Sequence, residues 1–342
     1  MQRWVIPLPF SDWCSTMDAE AISIDLKLLE RFEDGIDPLK PHESAIPARI
    51  IGYGEISTIF EILEPSFAGF ACKRLPVFRT EDEMQEYEQL FHEYNRVLSE
   101  EIGIKVPRYA SARVIPPKGN RVVYCIQERL LPGAIGNRLI HTLPIDSVVV
   151  LFRAVLAEMA KVWAYNASQD RVRLGLDAQI SNWALSCDTV PGDLKEGGVE
   201  LVYIDTSTPL MRVYGVEQLN TELFLRGAPS FLVWFIRLFF LKDVVGRYYD
   251  FHLAVVDLLA NLYKEGRPDL IEPLIRETNR FFSCNASGLG ANPVTYREVR
   301  SYYREDAMIW RLYQWLRRFD RFLQTRLLRR HYCHILPGAI KR

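Results

Sequence analysis

An α+β fold in two lobes, a small β-rich one followed by a larger helical one, is what the sequence predicts. Two observations carry that expectation. Between Ala48 and Ile126 apolar residues come in short, β-branched runs broken by glycine and proline, the pattern of strands joined by tight turns. Beyond Pro132-Gly133 they recur at three- and four-residue spacing, the pattern of helices buried on one face.

Taken in order, residues 1–46 read as an N-terminal extension with an amphipathic stretch, Ala19 to Phe32, ended by Asp37-Pro38 and the prolines at 41 and 47. Residues 47–130 make the small lobe. Three consecutive strands are expected around Ile50-Ile51, Thr58–Ile62 and Gly69–Lys73, then a helix over Glu81 to Glu101. Ile104-Lys105-Val106-Pro107 ends that helix and begins another strand, and Arg121 to Ile126 is one more. Residues 131–342 make the helical lobe. It opens with a buried helix over Ile145 to Ala167, followed by two short strands flanking a polar loop, Asp188 to Gly198.

Composition narrows the function classes. Of 342 residues, 49% are apolar and 25% charged, and the net charge of −1 supplies no global field to draw the protein to nucleic acid or membrane. The segment Met1 to Pro9 lacks the apolar core of a secretory signal. The most apolar run, Phe231 to Leu241, is interrupted by Arg237 and falls short of the roughly 20 residues a bilayer requires, so it reads as a buried helix. Six scattered cysteines without a CxxC pair suit reduced thiols in a cytoplasmic protein better than a disulfide framework or zinc site.

Several residue sets then point to chemistry. Gly52-x-Gly54-x-x-Ser57 falls at a strand–turn–strand, where glycines let backbone N–H groups approach phosphate oxygens; a plain hairpin turn would use the same residues. Lys73 on the third strand could reach nucleotide phosphates, or be a solvated edge lysine. Glu93 in the following helix could fix that ammonium, with Glu86 and Glu88 as rivals. In Asp177-Ala178-Gln179-Ile180-Ser181-Asn182, an Asp and an Asn five residues apart suit a carboxylate that orients a nucleophile and an amide oxygen that binds Mg²⁺. Asp205 ends the apolar strand Leu201–Ile204, a place from which a carboxylate can hold Mg²⁺ against phosphates. Individually each has a bland alternative, a turn, a cap or a surface charge. Structural roles do not require their joint order.

With that order the chain resembles the protein-kinase-like superfamily, nearest its aminoglycoside phosphotransferase, choline kinase and Rio-like branches, over roughly Ile50 to Leu210. His92-Glu93-Tyr94 running to Pro107, and Tyr203-Ile204-Asp205 in place of Asp-Phe-Gly, are similar to segments of those branches. The resemblance implies a bilobal fold and a phosphotransferase using ATP and Mg²⁺. Lys73 would hold phosphates, Glu93 would position Lys73, Asp177 would be the base, and Asn182 and Asp205 the magnesium ligands. Gln127, Glu128 and Leu130 would lie in the adenine-binding hinge. The sequence departs from the family where Gly175-Leu176 replaces the histidine that orients the catalytic loop, and where Ala228-Pro229-Ser230 lacks the glutamate that anchors an activation segment. The second departure favours a small-molecule acceptor over a protein. A nucleotide-binding pseudokinase, or an enzyme transferring AMP to a protein, are the alternatives.

The C-terminal region reads as an amphipathic helix. Ile309, Leu312, Tyr313, Leu316, Phe319, Leu323 and Leu327 fall on one face and Arg311, Arg317, Arg318, Arg321 and Arg329 largely on the other. A helix packed on the large lobe with a solvated basic face accounts for this; docking to an anionic membrane or acidic partner is the alternative.

Overall fold

The computed structural model describes residues 22–37, 40–54, 56–117, 121–187, 189, 194–226, 245–286, 288–327, 329 and 334–336. The apolar run Phe231 to Leu241 and the Ala228-Pro229-Ser230 turn lie outside the described residues.

The small lobe is a five-stranded antiparallel sheet in the order β1-β2-β3-β5-β4, formed by β1 (Ala48–Tyr53), β2 (Thr58–Ile62), β3 (Phe70–Phe78), β4 (Tyr109–Val114) and β5 (Arg121–Glu128). Strand alternation sends successive side chains to opposite faces. Along β5, Val123 and Cys125 join one core while Val122, Tyr124 and Ile126 join another. The first core is closed by α2 (Glu81–Arg96), which is capped by the Thr80 hydroxyl and buries Met84, Tyr87, Leu90, Phe91 and Tyr94. The expected helix over 81–101 is realised as α2 followed by a wider π turn, Val97–Ile102, which Gly103 ends at φ 79°.

The opposite core is closed by α1 (Leu26–Asp34), from the segment read as an extension; Leu29 and Phe32 are fully buried there, and Ile335 from near the C-terminus joins them. His334 beside it is buried, and desolvation pushes its imidazole down to about 3. Helix α1 also carries Glu33 into an ion pair with Arg74 of β3 at 2.6 Å, both side chains 3% exposed, and the Tyr124 hydroxyl donates to the same carboxylate at 2.6 Å. A buried guanidinium left without its carboxylate is costly, so Glu33→Ala should lower unfolding stability by about 3–5 kcal/mol in urea titration. Lys40→Ala, which removes an exposed pair with Glu43, should change it by less than about 1 kcal/mol.

The large lobe is built on α3 (Gly136–Thr142), α4 (Ile145–Ser168), α5 (Phe251–Lys264), α6 (Ile271–Asn285) and α7 (Tyr296–Phe322). Val148, Leu151, Phe152, Val155, Leu156, Met159 and Val162 of α4 are buried, as the three- and four-residue spacing predicts. Two small sheets sit between the lobes: β6 (Val172–Leu174), β9 (Met211–Val213) and β10 (Val216–Glu217) in the order β10-β9-β6, and the hairpin of β7 (Trp183–Leu185) with β8 (Leu201–Tyr203). This is the bilobal kinase-like architecture. Among the described residues no helix is long and apolar enough to cross a membrane.

Helix α7 corrects the expected C-terminal amphipathicity. Its inward side is Ala307, Gln314, Leu316, Arg317 and Asp320, while Leu312 and Leu327, expected on the packed face, are exposed. The rotation buries Arg317, expected on the solvated face.

Candidate functional site

The glycine-bearing turn joins β1 to β2, with Gly52 opposite Ile59 and Tyr53 opposite Thr58. The Gly54 amide donates to the Ser57 carbonyl at 3.1 Å and closes the loop. A Cβ added at Gly54 would lie 2.5 Å from the Ser57 hydroxyl and 3.6 Å from Lys73 Cε, so the turn lies against the Lys73 side chain. A side chain there would require the Ser57 hydroxyl to rotate away.

Lys73 lies on β3 between Cys72 and Arg74, which turn to the outer core, so pleating aims it inward. Its ammonium donates to Asp205 Oδ1 at 2.8 Å across 132 residues of sequence, with side chains 14% and 21% exposed. The Ser207 hydroxyl donates to the same oxygen at 3.1 Å. Asp205 reaches this place because it follows β8. Trp183 pairs with Tyr203, and the Ile204 amide continues the ladder to the Asn182 carbonyl at 2.9 Å, bringing Asn182 beside the Asp205 segment.

The Asp177–Asn182 turn folds on itself. Asn182 Nδ2 donates to the Asp177 carbonyl at 2.9 Å, and the Gln179 amide approaches Asp177 Oδ1 at 3.4 Å. Two buried tyrosines hold this loop. The Tyr94 hydroxyl of α2 donates to the Gly175 carbonyl at 2.8 Å and the Tyr203 hydroxyl of β8 to the Asp177 carbonyl at 3.3 Å. Burial raises both phenols far above their ordinary range, so both remain neutral donors. From the other side, Asn261 of α5 accepts the Ile180 amide at 3.2 Å and donates to Gln179 Oε1 at 3.1 Å. Glycine is required at 175, since a Cβ there would lie 2.8 Å from the Tyr248 carbonyl oxygen. Tyr94→Phe leaves the Gly175 carbonyl without that donor, and should cost about 1–3 kcal/mol of stability in denaturant titration.

Glu93 does not reach Lys73. Both its carboxylate oxygens are taken by Arg96, at 2.8 Å each, and that hydrogen-bonded pairing holds its pKa below the usual range. The reason is helical phase: the buried face of α2 runs through Met84, Tyr87, Phe91 and Tyr94, and Glu93 lies off it, partly exposed. Of its rivals, Glu86 is exposed and Glu88 pairs with Arg113 at 2.9 Å. The α2 residue beside Lys73 is Tyr87, which shares a small recess with Lys73, Ser57 and Ser207, and donates to the Ser207 carbonyl at 2.6 Å. The start of α2 is tied across the lobes by Glu83, which binds Arg226 through both oxygens at 2.7 Å; that bond lowers its pKa to about 2.

At the end of β5, Gln127 Nε2 donates to the Thr206 hydroxyl at 3.0 Å, linking the strand to the residue after Asp205. The Glu128 amide is already bonded to the Arg108 carbonyl and the Arg129 amide to the Gly69 carbonyl, while the Glu128 carboxylate pairs with Arg108. Leu130 comes next along the chain.

The sequence reading missed Tyr87, Tyr94, Tyr203, Ser207 and Asn261. Tyr87 and Tyr94 share a helix face at seven-residue spacing, and Ser207 stands two residues after Asp205, the signals from which they could have been found.

Residues 41–321 match the model of a family of unknown function (DUF6206). No curated protein matches the sequence. Among solved structures, the chain is similar to WaaP in complex with acyl carrier protein, at 13% identity over 77% of this chain and 96% of that one, with a TM-score of 0.31. It is also similar to a point mutant of an aminoglycoside 2'-phosphotransferase, IIIa, in its GDP complex (11% identity, 71% and 95% covered, TM-score 0.33). The GDP and kanamycin complex of APH(2'')-IIIa is similar at 10% identity, with 71% and 95% covered and a TM-score of 0.32.

Proposed function

The chain belongs to the DUF6206 family, and we propose that it is a phosphotransferase that uses Mg²⁺-ATP and acts on a hydroxyl of a small-molecule acceptor. The observation that carries this reading is the Lys73–Asp205 contact at 2.8 Å, made where the glycine turn of the small lobe meets the Asn182–Asp205 segment between the lobes.

Each residue then has work suited to its chemistry. Backbone N–H groups of the Gly52–Ser57 turn would bind phosphate oxygens, and Lys73 would hold a phosphate from below. Asp205 and the Asn182 amide oxygen are hard donors suited to Mg²⁺, which prefers one or two protein oxygens together with phosphates. Because Asn182 Nδ2 is committed to the Asp177 carbonyl, Oδ1 is the atom it would present. The ion would neutralise charge on the β- and γ-phosphate oxygens. Asp177 would orient the acceptor hydroxyl and take its proton as that oxygen bonds to the γ-phosphorus and the bond to the ADP oxygen breaks. The hinge would offer adenine the Leu130 amide, since those of Glu128 and Arg129 are engaged. Tyr87, where the glutamate was expected, would set the Ser207 backbone beside Lys73.

Mg²⁺-ATP at a hundred times its Kd should stabilise the protein by about 2.7 kcal/mol, read as a rise in melting temperature. Mass spectrometry of the products should show ADP and a phosphorylated acceptor from a panel of sugars, amino alcohols and nucleosides. Pyrophosphate with an AMP-modified protein would indicate AMP transfer; binding without turnover of any panel member, a pseudokinase. No melting shift at millimolar Mg²⁺-ATP would overturn the reading.

A further inference from the structure

We propose that the solvent-facing side of α7 docks the protein on an anionic lipid surface. At 100° per residue, Met308, Leu312, Trp315, Phe319 and Phe322 fall within an arc of about 80°. That arc lies opposite the buried side made by Ala307, Gln314, Arg317 and Asp320. Met308, Trp315 and Phe322 are each more than half exposed, and the Trp315 and Phe319 rings stack with centroids 5.6 Å apart. Isolated exposed apolar residues need no explanation, but four exposed ones, with half-buried Phe319 among them, in one stripe along a 27-residue helix do.

Charge identifies the occupant. Arg304, Arg311 and Arg318, all exposed, run along one edge of the stripe at seven-residue spacing, and Arg326, also exposed, follows beyond the helix. From Ala307 to Leu327 the acid is Asp320, which is buried and accepts from Gln324. The carboxylates nearest the stripe's start are already engaged, Glu305 by Arg247 and Asp306 by Lys264. A second copy is a poor occupant. Two-fold pairing of these helices would set each arginine row against the other copy's arginines, or against Ile309 and Leu323 on the opposite edge, with no carboxylate in either place. A bilayer with anionic headgroups satisfies both halves: tryptophan, phenylalanine and leucine enter the headgroup–acyl boundary while arginines meet phosphates.

The test is co-sedimentation of the full chain with vesicles of phosphatidylcholine alone and with vesicles containing phosphatidylglycerol, at low and high salt. Binding should appear with the anionic vesicles and fall as salt rises. Each arginine at such a surface contributes about fivefold to partitioning, so Arg311→Gln with Arg318→Gln should reduce it about 25-fold. Trp315→Ser with Phe322→Ser should reduce it about tenfold or more, by removing the inserted apolar area. These positions are exposed, so circular dichroism should show both variants folded. Equal binding to the two vesicle types, anionic binding indifferent to both double substitutions, or a dimer that Trp315→Ser with Phe322→Ser converts to monomer, would each overturn the proposal.

Discussion

Replacing Asp205 by alanine is expected to cut the melting-temperature rise produced by Mg²⁺-ATP to half or less while leaving the protein folded. Two losses coincide at this carboxylate. It is the charged oxygen donor proposed for the metal, and it is the acceptor for both Lys73 at 2.8 Å and Ser207 at 3.1 Å. Loss of a charged Mg²⁺ ligand should lower affinity for metal-nucleotide by about one to two orders of magnitude. The ammonium left behind is 14% exposed, enough for water to reach it, and the apo protein should lose only modest stability. Isothermal titration separates the effects, because nucleotide binding without metal should weaken far less. An Asp205→Ala protein that bound Mg²⁺-ATP as tightly as the parent would remove Asp205 from the metal site.

What the sequence made legible was whatever local pattern determines. The sheet was readable because β-strand burial follows period two: Val122, Tyr124 and Ile126 alternate with Val123 and Cys125 between two cores. Lys73 and Asp205 were readable as candidates because each stands on or just after a short apolar strand. Three features were hidden, all set by tertiary phase. Helix α2 offers glutamates at 81, 83, 86, 88 and 93, and composition cannot tell which faces the sheet; rotation put Tyr87 there and gave Glu93 to Arg96. Glu33 looks like any solvent-facing glutamate of an amphipathic helix until Arg74 and Tyr124, 41 and 91 residues away, are brought to it. The periodicity of α7 supports an apolar face but not the direction it points, and packing turned Arg317 inward and Trp315 outward. The role of the tyrosines that hold the loop was hidden for a related reason: the helix face of Tyr94 is legible, but a buried tyrosine with a partnered hydroxyl reads like any core aromatic.

Asp177→Asn separates the chemical step from binding. The loop that carries Asp177 is held through backbone atoms. Its carbonyl accepts from Asn182 at 2.9 Å and Tyr203 at 3.3 Å, the neighbouring Gly175 carbonyl accepts from Tyr94, and the Leu176 amide donates to the Tyr248 carbonyl. An asparagine of the same shape leaves all of those contacts in place. It also leaves Lys73, Asn182 and Asp205 untouched, so the melting-temperature rise with Mg²⁺-ATP should persist. What it removes is the charge proposed to accept a proton from the acceptor hydroxyl. General-base assistance contributes about 10²–10⁴ in rate, and kcat should fall by that factor with the KM for ATP nearly unchanged. The diagnostic is this split between the variants: Asp205→Ala weakens binding, whereas Asp177→Asn keeps binding and loses turnover. The opposite split, with Asp177→Asn failing to bind nucleotide and Asp205→Ala binding it normally, would exchange the two roles and place the metal on the loop. A fall in kcat that Asp177→Glu partly restores would show that the carboxylate itself, and not the fold of the turn, supplies the effect.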